Sequence, residues 1–98
     1  MKENVIKKEV TILGISAMDF KTQDGSKICG YKVYYMRDLE ESEKNDNYFG
    51  KKVEDVYLAK EDISDKVKYK NKVFPQKGII EFEIVALNKK PKPLNIIL

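Results

Sequence analysis

The apolar residues of this 98-residue chain recur mostly at intervals of two, and no stretch holds a stripe long enough for a packed helix. Glu9–Met18 reads as a long first strand with apolar residues on both parities, as when one face enters a core and the other is partly covered. Gly14 at its centre predicts a bulge or sharp coil, which lets one strand turn a barrel corner and serve two sheets. Lys21–Lys27 reads as a turn in which Asp24-Gly25 supplies the residue at positive φ. The second strand, Cys29–Arg37, follows at once and completes a long hairpin. Lys52–Leu58 is a third strand with apolar residues on both parities, which leaves its facing open. Ile79–Leu87 alternates cleanly, with Ile80, Phe82, Ile84 and Ala86 on one side and Glu81 and Glu83 on the other. Leu94–Leu98 closes the chain as a short apolar strand.

The connections are polar. Asp38–Gly50 has no periodicity and reads as an exposed acidic loop. Lys60–Asn71 has room for one helical turn near Glu61–Asp65. Five strands with almost no helix predict an all-β fold, a single domain over 1–98. A five-stranded OB-like Greek-key barrel is the economical form, because closure removes exposed strand edges.

Charge adds a second layer. The net charge of +3 divides unevenly: residues 1–37 carry seven Lys/Arg against four acids, and residues 51–98 carry eleven against seven. Residues 38–50 carry one Lys against five acids. Two basic segments therefore flank an acidic one, and the basic parts suit phosphates. No apolar run approaches the roughly 20 residues of a membrane span. The polar stretch Met1–Glu9 lacks the core of a signal peptide, so a cytoplasmic protein is expected. Histidine is absent and Cys29 stands alone, which removes the commonest general base and the usual zinc ligands. Cys29 is expected to be a small buried hydrophobe. The carboxylate pairs Glu40/Glu41, Glu54/Asp55 and Glu61/Asp62 come without a phosphate loop or histidine. No enzyme, metal or cofactor is expected.

The candidate chemistry lies in the interleaving of aromatic and cationic residues in Gly30-Tyr31-Lys32-Val33-Tyr34-Tyr35-Met36-Arg37. A half-exposed strand of this kind suits a flexible polyanion whose units carry flat π-faces, which is single-stranded nucleic acid. Tyr31, Val33 and Tyr35 share one face of the strand, and Lys32, Tyr34 and Met36 share the other. An exposed Tyr31 would stack a base; buried, it would pack the barrel. Lys66, Lys68, Lys70 and Lys72 occupy alternate positions, so an extended segment would set them in one cationic ridge. Tyr48-Phe49 and Phe74-Pro75 are aromatic pairs in connections, serving either as anchors or as contacts.

In layout, the long strand with Gly14, the Asp-Gly turn flanked by Lys21 and Lys27, and the aromatic strand opened by Gly30-Tyr31 resemble small OB-fold single-stranded-DNA-binding proteins of bacteriophages. The filamentous-phage gene V type is the nearest pattern. The resemblance implies a homodimer that binds DNA cooperatively, with Tyr31 as a DNA-contacting strand tyrosine and Lys21 and Lys27 as hairpin cations. The acidic loop departs from a basic binding wing, and Asn95–Leu98 offers no counterpart of the acidic tail of bacterial single-strand-binding proteins.

The function expected is therefore non-sequence-specific binding of single-stranded DNA, or RNA, in phage or mobile-element replication or recombination. Bases would stack on Tyr31, Tyr34, Tyr57 and Phe20. Phosphates would meet Lys21, Lys27, Lys32, Arg37, Lys51, Lys52, Lys68 and Lys70. The rival is a β-barrel protein-interaction module whose acidic loop is the contact surface.

Overall fold

A computed structural model of the chain describes residues 4–86 and 89–98. Met1–Glu3 of the polar N-terminal stretch, and Leu87 at the expected end of the fourth strand, lie outside the described residues. Among the described residues, five antiparallel strands form one sheet in the order β3-β2-β1-β4-β5. They are β1 (Val5–Lys21), β2 (Lys27–Arg37), β3 (Lys52–Ala59), β4 (Gln76–Glu83) and β5 (Lys92–Ile97).

β1 holds the fold together by serving two partners. Its first half pairs with β4 from Val5↔Glu83 to Ile12↔Gln76, and its second half pairs with β2 as far as Lys21↔Lys27. The register shifts between Ile12 and Gly14, so the expected irregularity at Gly14 sits where β1 passes from one partner to the other. Gly25 (φ 89°) turns the hairpin, helped by the Asp24 carboxylate, which accepts hydrogen bonds from Thr22 Oγ1 and from the Ser26 amide at 3.0 Å.

The sheet curls until Cα atoms of β3 and β5 come within 8 Å, yet no ladder joins them. This is the strand order of a five-stranded Greek-key barrel left open along one seam. The expected closure is corrected to that extent. β5 has only six residues, one of them Pro93 with no N–H to give, and the β4–β5 register shifts beside it.

One face of the sheet is the core. Val10 and Ile12 of β1, Tyr31, Val33 and Tyr35 of β2, Leu58 of β3, Ile80 and Phe82 of β4 and Ile96 of β5 form a single buried cluster. Cys29 is buried as well, as expected of a small hydrophobe. Below β2 the end of the barrel is capped by a 3₁₀ turn at Ser64–Lys66 running into the short helix α1 (Val67–Lys70). Asp62 starts this cap by accepting from both the amide and the hydroxyl of Ser64, at 3.1 and 2.7 Å. Ile63 and Tyr69 then pack onto the core, with the Tyr69 ring edge-on to Tyr31 at 5.1 Å between centroids. The ridge of alternate lysines expected over Lys66–Lys72 is therefore corrected. In a helical segment Lys68 points away from Lys66 and Lys70.

Candidate nucleic-acid interface

Cross-strand register decides which aromatic residues are available to a ligand. Ala17, Tyr31 and Leu58 lie in one row across β1, β2 and β3, and this row faces the core. Tyr31 is 0% exposed, and its hydroxyl donates to the Asp65 carboxylate of the cap. Burial, then the Asp65 bond, push the phenol pKa up; the same bond, with Lys68 at 3.0 Å, holds Asp65 below the usual carboxylate range. The expected base-stacking role of Tyr31 is corrected. Its ring is a core ring with its polar end satisfied by the cap.

The opposite face of β1, β2 and β3 is open. Here Gly14, Tyr34 and Asp55 form one row, and Ser16, Lys32 and Tyr57 form the next. Two rings thus occupy one diagonal of a four-residue square, and an ion pair occupies the other, with Lys32 Nζ 3.9 Å from Asp55. Lys32 also lies over the Tyr34 ring, 5.7 Å from its centroid. Tyr34 and Tyr57 are 39% and 38% exposed, which leaves ring surface for stacking. At Gly14 a Cβ would meet nothing within 4 Å, so the flank of Tyr34 toward β1 is uncovered.

Tyr57 is also held in place. Its hydroxyl accepts from the Cys29 amide at 3.1 Å and donates to the Cys29 carbonyl at 2.7 Å. Neighbouring Gly30 permits the close approach of β2 and β3 there, because a Cβ would collide with the Leu58 carbonyl oxygen. Further along the same face, Met18 pairs with Gly30 and Phe20 with Ile28, beyond the last residue of β3. The β1–β2 ribbon therefore projects past the sheet, with Phe20 half exposed and Lys21 and Lys27 paired at its tip. At the other end of the face Met36 pairs with Val53; the expected contact Lys52 pairs with Arg37, so it has the parity of the core row, and its ammonium lies over the Tyr48 ring at 5.6 Å.

The structure thus brings Phe20, Lys32, Tyr34 and Tyr57 onto one open surface, whereas Lys21 and Lys27, paired at the hairpin tip, have the parity of the core row and are corrected as members of that surface. It separates the other expected contacts. Arg37 has the parity of the core row and is clamped by Glu43 at 2.7 Å and Glu54 at 2.8 Å. Its guanidinium bonds to both carboxylates hold them below the usual range, Glu43 at about 2. Lys51 is paired with Asp38, and Lys68 with Asp65. Lys70, with Lys66, rims a cavity of about 370 Å³ floored by Ile15, Ala17 and Tyr31 on the core side of the hairpin. Arg37, Lys51, Lys68 and Lys70 are corrected as members of a common phosphate track: three are engaged by acids, and Lys70 is on the other side. Sequence reasoning missed Gly14 and Asp55 as members of the open face, since only the cross-strand register places them beside Tyr34.

Among the described residues, no group of three or more His, Cys, Asp or Glu side chains is placed to hold a metal ion. No helix among them is long and apolar enough to cross a membrane. No protein-family model matches the chain, and no curated protein or solved structure is significantly similar to it.

Proposed function

We propose that the open face of β1, β2 and β3 binds single-stranded nucleic acid, DNA in the first instance, without strong dependence on sequence. The observation that carries this reading is the square of Tyr34, Lys32, Tyr57 and Asp55, which sets two accessible rings beside a central ammonium. Exposed rings stack any base, and lysines hold the phosphates between stacked units. In five-stranded Greek-key barrels the outer surface of the second and third strands, with the adjoining loops, is the usual seat for oligonucleotides. From Ile28 to Met36 the face runs roughly 26 Å at about 3.3 Å per residue, room for about four extended nucleotides, the low end for such domains. Phe20 extends this track onto the projecting ribbon. Binding is passive: the strand is held, and no bond is made or broken. The setting fits replication or recombination of a phage or mobile element, with two copies acting together as the resemblance implies.

Titration of the protein with labelled oligo(dT) at low and high salt tests the reading. Micromolar or tighter binding that weakens steeply with salt supports it, and no binding at low salt removes it. The rival, a protein-interaction module, has Phe49 in its favour, since this ring in the acidic loop is 85% exposed. Under that reading oligonucleotides leave the protein unaffected at every salt concentration.

A further inference from the structure

Asp55 is an unusual neighbour for a phosphate-binding lysine. On the open face of β2 and β3 the outward-facing rows are Gly30, Lys32, Tyr34 and Met36 against Ala59, Tyr57, Asp55 and Val53, so Asp55 is the one carboxylate in the block. The β1 residues opposite them, Thr11, Gly14, Ser16 and Met18, add no acid, nor does Phe20 beyond. Other carboxylates nearby are committed: Glu43 and Glu54 to Arg37, Asp38 to Lys51, and Asp65 to Tyr31 and Lys68. Asp55 is not. Its approach to Lys32 is 3.9 Å, outside hydrogen-bonding distance, and its side chain is half exposed. A carboxylate so placed repels phosphates, but it accepts hydrogen bonds from the edges of bases.

Resting on the single-strand reading, we propose that Asp55 is a specificity-determining residue that favours guanine at one stacking position. A base lying on Tyr34 presents its edge to the residue directly across the strand pair, which is Asp55. Guanine offers adjacent N1–H and N2–H donors, which match the two oxygens of a carboxylate. Cytosine and adenine each offer one amino group. Thymine sets carbonyl oxygens on both sides of its N3–H, and these repel the carboxylate. Lys32, in the next row of the face, exchanges its loose pairing with Asp55 for the phosphate. The face is then tolerant of sequence along most of its length and selective at one point.

The test uses the full chain and three octanucleotides, oligo(dT), alternating dT/dG and alternating dT/dI, with wild type and Asp55→Asn. Inosine keeps the N1–H of guanine and lacks its amino group. The wild type is expected to bind the dG oligomer about tenfold more tightly than oligo(dT), the scale of one two-point base contact, with the dI oligomer between them. Asp55→Asn should level the three and bind oligo(dT) more tightly than wild type, because a negative charge has gone. Equal wild-type affinities for all three oligomers overturn the guanine assignment and leave single-strand binding standing. A preference that persists in Asp55→Asn overturns the role of Asp55. No binding to any oligomer at low salt overturns the underlying reading instead. Circular dichroism of Asp55→Asn confirms that the exposed, nearly isosteric change has left the fold intact.

Discussion

The hydroxyl of Tyr57 closes a two-way hydrogen bond with the main chain of Cys29, accepting from its amide and donating to its carbonyl. A strand tyrosine on an open face normally retains rotamer freedom, and ordering it on binding would cost affinity. Here the ring is already fixed beside Lys32.

This separates the two roles of Tyr57. Tyr57→Phe should cost about 1 kcal/mol of stability through the lost hydrogen bonds, with little change in oligo(dT) affinity while the ring stays in place. Tyr57→Ala should in addition weaken binding by about 1–3 kcal/mol, the worth of one stacked base. Chemical denaturation and oligonucleotide titration of both variants make the comparison.

Tyr31 should behave in the opposite way. Removing a fully buried ring by Tyr31→Ala is expected to cost about 3–5 kcal/mol of stability, enough to threaten folding of so small a domain. Tyr31→Phe keeps the packing and breaks only the bond to Asp65, so it should fold with lower stability and bind oligo(dT) as the wild type does. A folded Tyr31→Phe protein that loses its DNA affinity would contradict the placement of this ring in the core.

Acid should act through the Arg37 clamp. Glu43 and Glu54 are both held below their ordinary pKa by Arg37, Glu43 at about 2 against 4.5 in an unfolded chain. A carboxyl whose pKa is lowered by folding adds stability that is complete above the unfolded value and is lost as pH falls toward the folded one. The melting temperature should therefore drop between about pH 5 and about pH 2, and Arg37→Met should show a shallower drop over that window. The same variant should bind oligo(dT) at neutral pH with a normal salt dependence, because the clamped guanidinium is not offered to phosphates.

The lysine of the open face, Lys32, should register in the salt dependence. Lys32→Ala should lower the slope of log K against log salt by about 0.7, the share of one phosphate contact. Lys68→Ala should leave the slope unchanged, since Lys68 is paired with Asp65 on the core side of the sheet. These slopes come from titrations at four or more salt concentrations.

Much of the scaffold was legible in the chain because its devices are local. Gly14 marks the register shift, Asp24-Gly25 turns the hairpin, and the clean alternation of Ile80 and Phe82 against Glu81 and Glu83 sets the facing of β4. Strand ends differed from those expected, β1 reaching from Val5 to Lys21 while β4 stops at Glu83, short of Ile84 and Ala86, since ladder partners rather than propensity decide where pairing stops. The site was harder to read. In β2 both parities carry tyrosines, so alternation alone could not say whether Tyr31 or Tyr34 faces water. The decision lies in the partners across the ladder: Leu58 and the cap residue Tyr69 enclose Tyr31, whereas Gly14 and Asp55 leave Tyr34 open. The lysines of 66–72 misled for a related reason, because a period of two also arises by chance in a short helical cap whose contact with the core is made by Tyr69 alone of its ring residues.

Amide chemical-shift mapping with an oligo(dT) octamer tests the central claim most directly, because it locates the ligand residue by residue. The largest changes should fall on Lys32, Tyr34, Tyr57 and Gly14, extend to Phe20, and spare the cap at Ser64–Lys70. Changes centred on the cap or on the acidic loop, or no changes at low salt, would contradict a nucleic-acid interface on the open face of β1, β2 and β3.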